Sequence, residues 1–117
     1  MAKTNPRLVK LVEDLKTKSR EKRAAIWKDV AKRLERPTRN YAEVNLGQIN
    51  RHASEGETVL VPGKVLGSGI LDHAVAIVAL DFSLSARDKI KNVKGKCLTI
   101  EQLMEENPSG KGVRIIQ

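Results

Sequence analysis

Aromatic residues are scarce in this chain. Among its 117 residues only Trp27, Tyr41 and Phe82 are aromatic. Domains that hold unpaired nucleobases stack them on several aromatic rings, and three scattered rings are too few for such a platform. If the chain binds nucleic acid, it should therefore contact phosphates and the shape of the nucleic acid more than its bases.

Cysteine and long apolar segments are equally rare. The single cysteine, Cys97, cannot form an internal disulfide, and its position beside Leu98 favours a small buried side chain over a nucleophile. The sequence has no run of eighteen apolar residues and no signal-peptide pattern, which predicts a soluble, intracellular protein. It also lacks the spacings of cysteine, histidine and acidic residues that bind metals, so we expect neither a metal nor a cofactor.

The excess positive charge lies entirely in the first half of the chain. Residues 1–51 hold fourteen lysines and arginines against six acidic residues, whereas residues 52–117 hold eight of each. Such one-sided charge indicates a polyanionic partner. Nucleic acid fits better than a membrane surface, because a membrane-bound helix would carry bulky Trp and Phe on its apolar face.

Apolar periodicity predicts three helices in the basic half. The first begins at Asn5 and Pro6, the second spans residues 24–34, and the third spans residues 45–53. Between the first two, residues 16–23 carry five basic residues and no apolar residue. That segment is predicted to be a solvated link or a contact arm, and the density of Lys18, Arg20, Lys22 and Arg23 favours the arm.

A short loop after the second helix carries two arginines beside a proline. Arg36 and Arg39 flank Pro37 and Thr38. Guanidinium groups bind phosphates bidentately, and a stiff loop loses little freedom when it docks. These two arginines are the best local candidates for direct RNA contact.

Residues 58–71, TVLVPGKVLGSGIL, form the most distinctive segment. A short apolar strand, predicted to end at Pro62, leads into a turn that contains Gly63, Lys64, Gly67 and Gly69. The turn could present bare N–H groups and one ammonium to phosphates, or it could let strands cross closely inside a small core, which is the usual role of such glycines. A mononucleotide loop is excluded because Val65 follows the Gly-Lys pair, and a dinucleotide fingerprint is excluded because no helix opens behind the glycines.

The second half alternates predicted strands and helices. We predict a buried strand over residues 74–82, a helix over residues 83–93, a helix that starts at Thr99, and a closing strand over residues 113–116. His73 and Asp81 bracket the first of these strands, but no serine or cysteine elbow accompanies them. Capping and turn roles are therefore favoured over catalysis, and no enzyme activity is predicted.

Several strings along the chain resemble one family. They are KTNPRL (3–8), VNLGQINR (44–51), VLVPGKVLGSGIL (59–71), LDF (80–82) and NPSGKGVRII (107–116). In this order they are similar to the archaeal form of the eighteen-e family of large-ribosomal-subunit proteins, which is related in fold to the bacterial large-subunit protein fifteen family. The similarity covers nearly the whole chain, and the string VPGKVLGSG is its most specific part.

The resemblance implies a structural constituent of the large ribosomal subunit, in the cytoplasm, that binds ribosomal RNA, packs beside neighbouring ribosomal proteins and supports translation without performing chemistry. It implies a mixed α/β fold, an irregular superhelix of strand-strand-helix turns with basic N-terminal helices that reach onto RNA. From the length we predict one domain, with a basic helical part over residues 1–54 and an α/β core over residues 55–117.

Charge, turn geometry and the resemblance together single out thirteen candidate RNA-contact residues. These are Lys3, Arg7, Lys18, Arg20, Lys22, Arg23, Arg36, Arg39, Arg51, Gly63, Lys64, Gly67 and Gly69. Two alternatives remain open. One is a free-standing nucleic-acid-binding regulator that reads two half-sites as a dimer, and the other is a small enzyme that uses the central loop for a phosphorylated ligand.

Overall fold

A computed structural model of the protein describes residues 5–36 and 41–117. In chain order the described elements are α1 (Pro6–Lys22), α2 (Ala25–Leu34), β1 (Ala42–Asn45), α3 (Leu46–His52), β2 (Thr58–Leu66), β3 (Ala76–Phe82), α4 (Leu84–Asn92), β4 (Lys96–Thr99), α5 (Ile100–Glu106) and β5 (Val113–Ile115). None of the described helices is both long enough and apolar enough to cross a bilayer.

The strands form a parallel sheet around β2. The order is β1-β2-β3-β4, and β5 also pairs with β2. The nine-residue β2 is long enough to hold two short strands end to end on one edge: β5 pairs with Thr58–Leu60 and β1 with Gly63–Leu66. The prediction of a mixed α/β fold is confirmed.

Helices cover both faces of this sheet. Because successive side chains of a strand point to opposite faces, Leu60 packs with Trp27 of α2 on one face, while its neighbours Val59 and Val61 pack with Ile49 of α3 on the other. The face of Leu60 is covered by α1, α2 and α5, and the opposite face by α3 and α4. Burial on both sides explains why β2 and β3 have nearly continuous apolar sequences.

Helix starts were the most accurate part of the sequence prediction. The side chain of Asn5 accepts a hydrogen bond from the Arg7 N–H at 3.0 Å, with Pro6 in the first helical position. Thr99 and Gln102 form the predicted reciprocal capping box at the start of α5. These caps were predictable because they depend only on residues two or three positions apart.

The prediction that residues 16–23 form a separate link or arm is wrong as to structure, and their contact with RNA stays a prediction. The α1 helix continues to Lys22, and Arg23 then takes a left-handed conformation, with φ 52°, that ends it. Lysine, arginine and glutamate are good helix formers, so a charged segment can extend a helix whose earlier turns are anchored by the buried Leu11 and Leu15. The charges therefore lie on fixed sides of a rigid rod.

The predicted end of the strand at Pro62 is also wrong. Strand β2 passes through this position with a bulge: Val61 pairs with Ala79 and Lys64 with Asp81, so β2 has one more residue than β3 over this interval. A bulge accommodates proline because the extra residue does not need its N–H for the ladder. Strands β1 and β4 were not predicted, since four residues are too few to show a periodic pattern.

His73 ties the loop before β3 to the end of α3. Its Nδ1 lies 2.8 Å from the Asp72 carboxylate and its Nε2 lies 2.6 Å from the carbonyl of Ala53. Both partners accept hydrogen bonds, so the ring satisfies both only when it is protonated on both nitrogens. Accordingly, the pKa of His73 is raised, mainly by the hydrogen bond to Asp72 and to a smaller extent by the one to Ala53. The same bond to His73 lowers the pKa of Asp72.

This arrangement predicts a pH-dependent contribution to stability. The share from His73 should be fully present below the ordinary histidine pKa of about 6.5 and should be lost as pH rises through the raised folded-state pKa. The share from Asp72 should be lost as pH falls through its lowered folded-state pKa. In urea unfolding, the stability difference between the native chain and His73→Gln should shrink between pH 6 and pH 9. His52→Gln is the control, because the exposed His52 side chain makes no hydrogen bond with a described residue. A difference that stays constant with pH would contradict this interpretation.

Candidate nucleic-acid interface

Arg7 is already occupied within the chain. Its Nε and Nη2 donate to the two carboxylate oxygens of Glu101 at 3.0 and 3.2 Å, and its Nη1 donates to the carbonyl of Leu80 at 3.2 Å. Burial is the largest single influence and acts to raise the pKa of Glu101, but the hydrogen bond from Arg7, a backbone hydrogen bond and the charge of Arg7 together outweigh it and lower the pKa. Arg7 therefore links α1 to α5 and to β3 through these hydrogen bonds.

Lys64 has an acidic residue beside it on each neighbouring strand. In the sheet it is paired with Glu43 of β1 on one side and with Asp81 of β3 on the other. These three residues and Arg7 line an open cleft of about 560 Å³ next to the start of α1. Two cations and two carboxylates balance in this cleft, so it attracts a phosphate only weakly.

Gly67 and Gly69 pack closely against their own chain. A Cβ on Gly67 would lie 2.0 Å from the Oγ of Ser85, and one on Gly69 would lie 2.7 Å from the Cα of Gly47. The Nζ of Lys89 donates to the carbonyls of both Gly67 and Gly69, at 2.7 and 3.0 Å. Close packing is a sufficient reason for glycine at both positions, in agreement with the core interpretation of this loop.

The basic residues of α1 face two different grooves. Arg20 lines a groove between α1 and α2 of about 330 Å³, here called the basic groove, whose lining is Lys16, Ser19, Arg20, Lys28, Lys32 and Glu35. Lys18 lines a groove between α1 and α5 of about 360 Å³, here called the acidic groove, whose lining is Lys10, Asp14, Thr17, Lys18, Glu21, Glu101, Met104 and Glu105. Lys18 and Arg20, only two positions apart in the sequence, thus meet opposite electrostatic surroundings.

The other candidates do not form one cluster. Lys22 and Arg23 are exposed at the α1–α2 turn, Arg36 is exposed just after α2, and Arg51 is exposed in the last turn of α3. Lys3 and Arg39 lie outside the described residues. The structure therefore brings Arg20, Lys22 and Arg23 together at one end of the helical pair and places Lys64, Gly67 and Gly69 in a separate region.

The sequence matches one protein family along almost its full length. The family described as "Ribosomal protein 60S L18 and 50S L18e" matches residues 2–117. The chain belongs to this family.

Individual relatives agree with the family match. The large ribosomal subunit protein eL18 of Methanothermobacter thermautotrophicus is 62% identical over 117 residues, which is all of this chain and 97% of the relative. The eL18 protein of Methanoregula boonei is 62% identical over 98% of this chain and 95% of the relative, and that of Haloarcula marismortui is 55% identical over the whole of both chains. The resemblance to the eighteen-e family, based on five strings, is confirmed.

The sequence-based candidates in this L18e-family protein did not include three basic residues of the basic groove. These are Lys16, Lys28 and Lys32. A signal for them was present, because Lys16 and Arg20 are four residues apart, as are Lys28 and Lys32. Such pairs lie on one side of a helix. What the sequence did not show is that the two pairs face each other across α1 and α2.

Cys97 has no reactive surroundings in this structure. The thiol is partly buried, and burial raises its pKa while the nearby Arg87 opposes that effect only in part. A raised pKa keeps the thiol protonated and therefore a poor nucleophile. Within residues 5–36 and 41–117, no group of three or more histidine, cysteine or acidic side chains is arranged to hold a metal ion.

Proposed function

We propose that this L18e-family protein is a structural constituent of the large ribosomal subunit that binds ribosomal RNA through phosphate and shape contacts and so supports translation. The observation that carries the proposal is the family match over residues 2–117, with relatives matched over 97% and 100% of their length that are named as large ribosomal subunit proteins. The positive charge of residues 1–51 supplies the physical attraction to RNA. The family is structural rather than enzymatic, and we place the protein with ribosomes in the cytoplasm, beside other large-subunit proteins.

Among the sequence-based contact candidates, the structure supports the exposed arginines and lysines most strongly. Lys22, Arg23, Arg36 and Arg51 are exposed, and Arg20 lines the basic groove. Arg7 is bound to Glu101, Lys64 has acidic neighbours, and the loop glycines are packed, so RNA contact from these residues has weaker support. Lys3 and Arg39 stay predictions from the sequence.

The chain acts as one domain in this proposal. The division into residues 1–54 and 55–117 describes a difference in charge, since β1 from the first part pairs with β2 of the second. The helices α1 and α2 bury Leu11 and Trp27 in one cluster with Leu60 and Val78 of the sheet. That shared core supports helices that are held rigidly against the α/β core when RNA binds.

Sedimentation of a lysate of the source cells tests the proposed function. The native protein should travel with the large ribosomal subunit at low salt and leave it only at high salt, because its contacts with phosphates release counterions. The fractions are probed with an antibody against the protein, and the salt needed for release is compared with that for a known core protein of the large subunit. A protein that stays in the soluble fraction at both salt concentrations would contradict the proposal and favour the free-standing regulator.

A further inference from the structure

Helix α1 has sides of opposite charge. Its side toward α2 borders the basic groove, where four cations accompany one carboxylate. Its side toward α5 borders the acidic groove, where two lysines accompany four carboxylates; after Lys10 pairs with Asp14 and Arg7 with Glu101, one negative charge remains in excess. A polyanion approaching α1 is therefore attracted to one side of the helix and repelled from the other.

The carboxylate in the basic groove is already neutralised. Glu35 lies 3.1 Å from the Nζ of Lys16, a contact that also shows how the antiparallel helices bring the middle of α1 beside the end of α2. Arg20 has only a weak contact with a hydroxyl, from its Nη2 to the Oγ1 of Thr17 at 3.5 Å. Three positive charges therefore remain after this pairing.

The lysines of α2 are left without an acidic partner among the described residues. Asp29 is the nearest acid in sequence to Lys28, but it is bound by the Nε of Arg33 at 3.0 Å; Lys32 is equally near to Asp29 and to Glu35, which is bound by Lys16. Lys28 and Lys32 are both exposed, and neither forms an ion pair with a described residue. Their charge is available to a partner.

The lining also indicates what kind of partner fits. Every residue that lines the basic groove carries a charged or hydroxyl group, and the aliphatic stems of the lysines and Arg20 form much of its wall. Stable protein–protein contacts have an apolar centre that is depleted in charged residues, whereas phosphate contacts need cations and polar donors alone. The chemistry of the groove is that of a phosphate-binding surface.

We propose that the basic groove is the surface on which this protein docks to RNA, with Arg20, Lys28 and Lys32 contacting phosphates of a folded strand while Lys16 stays paired with Glu35. The inference rests on the proposed ribosomal function and adds the docking face and its orientation. The acidic groove points away from the RNA in this arrangement, so Lys18 makes no phosphate contact although it is two residues from Arg20.

Two double variants with equal charge changes test the docking face. Lys28→Ala with Lys32→Ala removes two charges from the basic groove, and Lys10→Ala with Lys18→Ala removes two charges from the acidic groove. Each protein is titrated with large-subunit ribosomal RNA, freed of protein by salt, over a range of salt concentrations, with transfer RNA as competitor. Urea unfolding confirms that both variants are folded.

A plot of log binding constant against log salt concentration has a negative slope. In the basic-groove variant this slope should be less steep by about 1.4 to 1.8, since two phosphate contacts are lost. The acidic-groove variant should keep the native slope. Equal losses in both variants, or an unchanged slope in the basic-groove variant, would overturn the proposed docking face. A native protein that does not prefer ribosomal RNA over transfer RNA would instead contradict the ribosomal function, and the slopes would still report on the groove.

Discussion

Replacement of Trp27 with alanine should lower the free energy of unfolding by about 3 to 5 kcal/mol, the usual range for a buried large aromatic residue. Trp27 is fully buried between the helical layer and the sheet, in one cluster with Leu11, Leu60 and Val78. Its Nε1 donates to the carbonyl of Pro108 at 2.7 Å. The variant therefore loses both apolar contact and a partly buried hydrogen bond between α2 and the turn before β5.

Trp27→Phe removes the hydrogen bond together with only part of the buried ring. This variant keeps an aromatic ring but leaves the Pro108 carbonyl without its donor, so we expect a loss of about 1 to 3 kcal/mol. Urea unfolding should be followed by far-ultraviolet circular dichroism, because Trp27 is the only tryptophan and its fluorescence disappears with the substitution. A loss below 1 kcal/mol for Trp27→Ala would mean that this core position is not closely packed.

Replacement of Gly63 with alanine should destabilise the protein by about 3 kcal/mol, near the upper end of the usual cost of overpacking. A Cβ at this position would lie 1.9 Å from the carbonyl oxygen of Ala42 and 2.8 Å from its backbone nitrogen. Backbone atoms of a paired strand cannot rotate away as a side chain can, so β1 must separate from β2. Urea unfolding measures the loss, and faster amide hydrogen exchange in β1 locates it.

Gly47→Ala is the matched control for this substitution. A Cβ there would meet its nearest neighbours, the Oδ1 of Asn45 and the Cα of Gly69, at 3.5 Å, which is ordinary contact. Gly47 lies in the first turn of α3, where alanine has the higher helix propensity, so its substitution should be neutral or stabilising by up to about 1 kcal/mol. If both variants unfold at the same urea concentration, the close approach of β1 and β2 is not what requires glycine at position 63.

The surroundings of Gly63 also explain why the sequence alone could not decide the role of the central glycines. Glycine there indicated either an approaching ligand or close packing, and the sequence alone left both open. The structure shows that the approaching group at Gly63 is the β1 backbone, at Gly67 the start of α4, and at Gly69 the start of α3. None of these neighbours is local in the chain, so no spacing rule could have identified them.

Properties that depend on local spacing were accessible from the sequence alone. The caps at Asn5 and Thr99 were correct, as was the closing strand, predicted over residues 113–116 and found at Val113–Ile115. The charge of residues 1–51 and the strings shared with the L18e family indicated the partner class and the family, and the family match confirmed the latter. Amino-acid composition and short-range periodicity determine these properties whatever the tertiary arrangement.

The grouping of charges was decided only by tertiary structure. Arg7 meets Glu101 although 94 positions separate them, and it is thereby withdrawn from the set of accessible cations. Lys16 and Lys28 line one groove because the apolar sides of α1 and α2 pack together on the sheet, while Lys18 is turned toward α5. Burial of apolar side chains fixes how each helix is rotated, and that rotation decides which of the many basic residues in the sequence can act together on RNA.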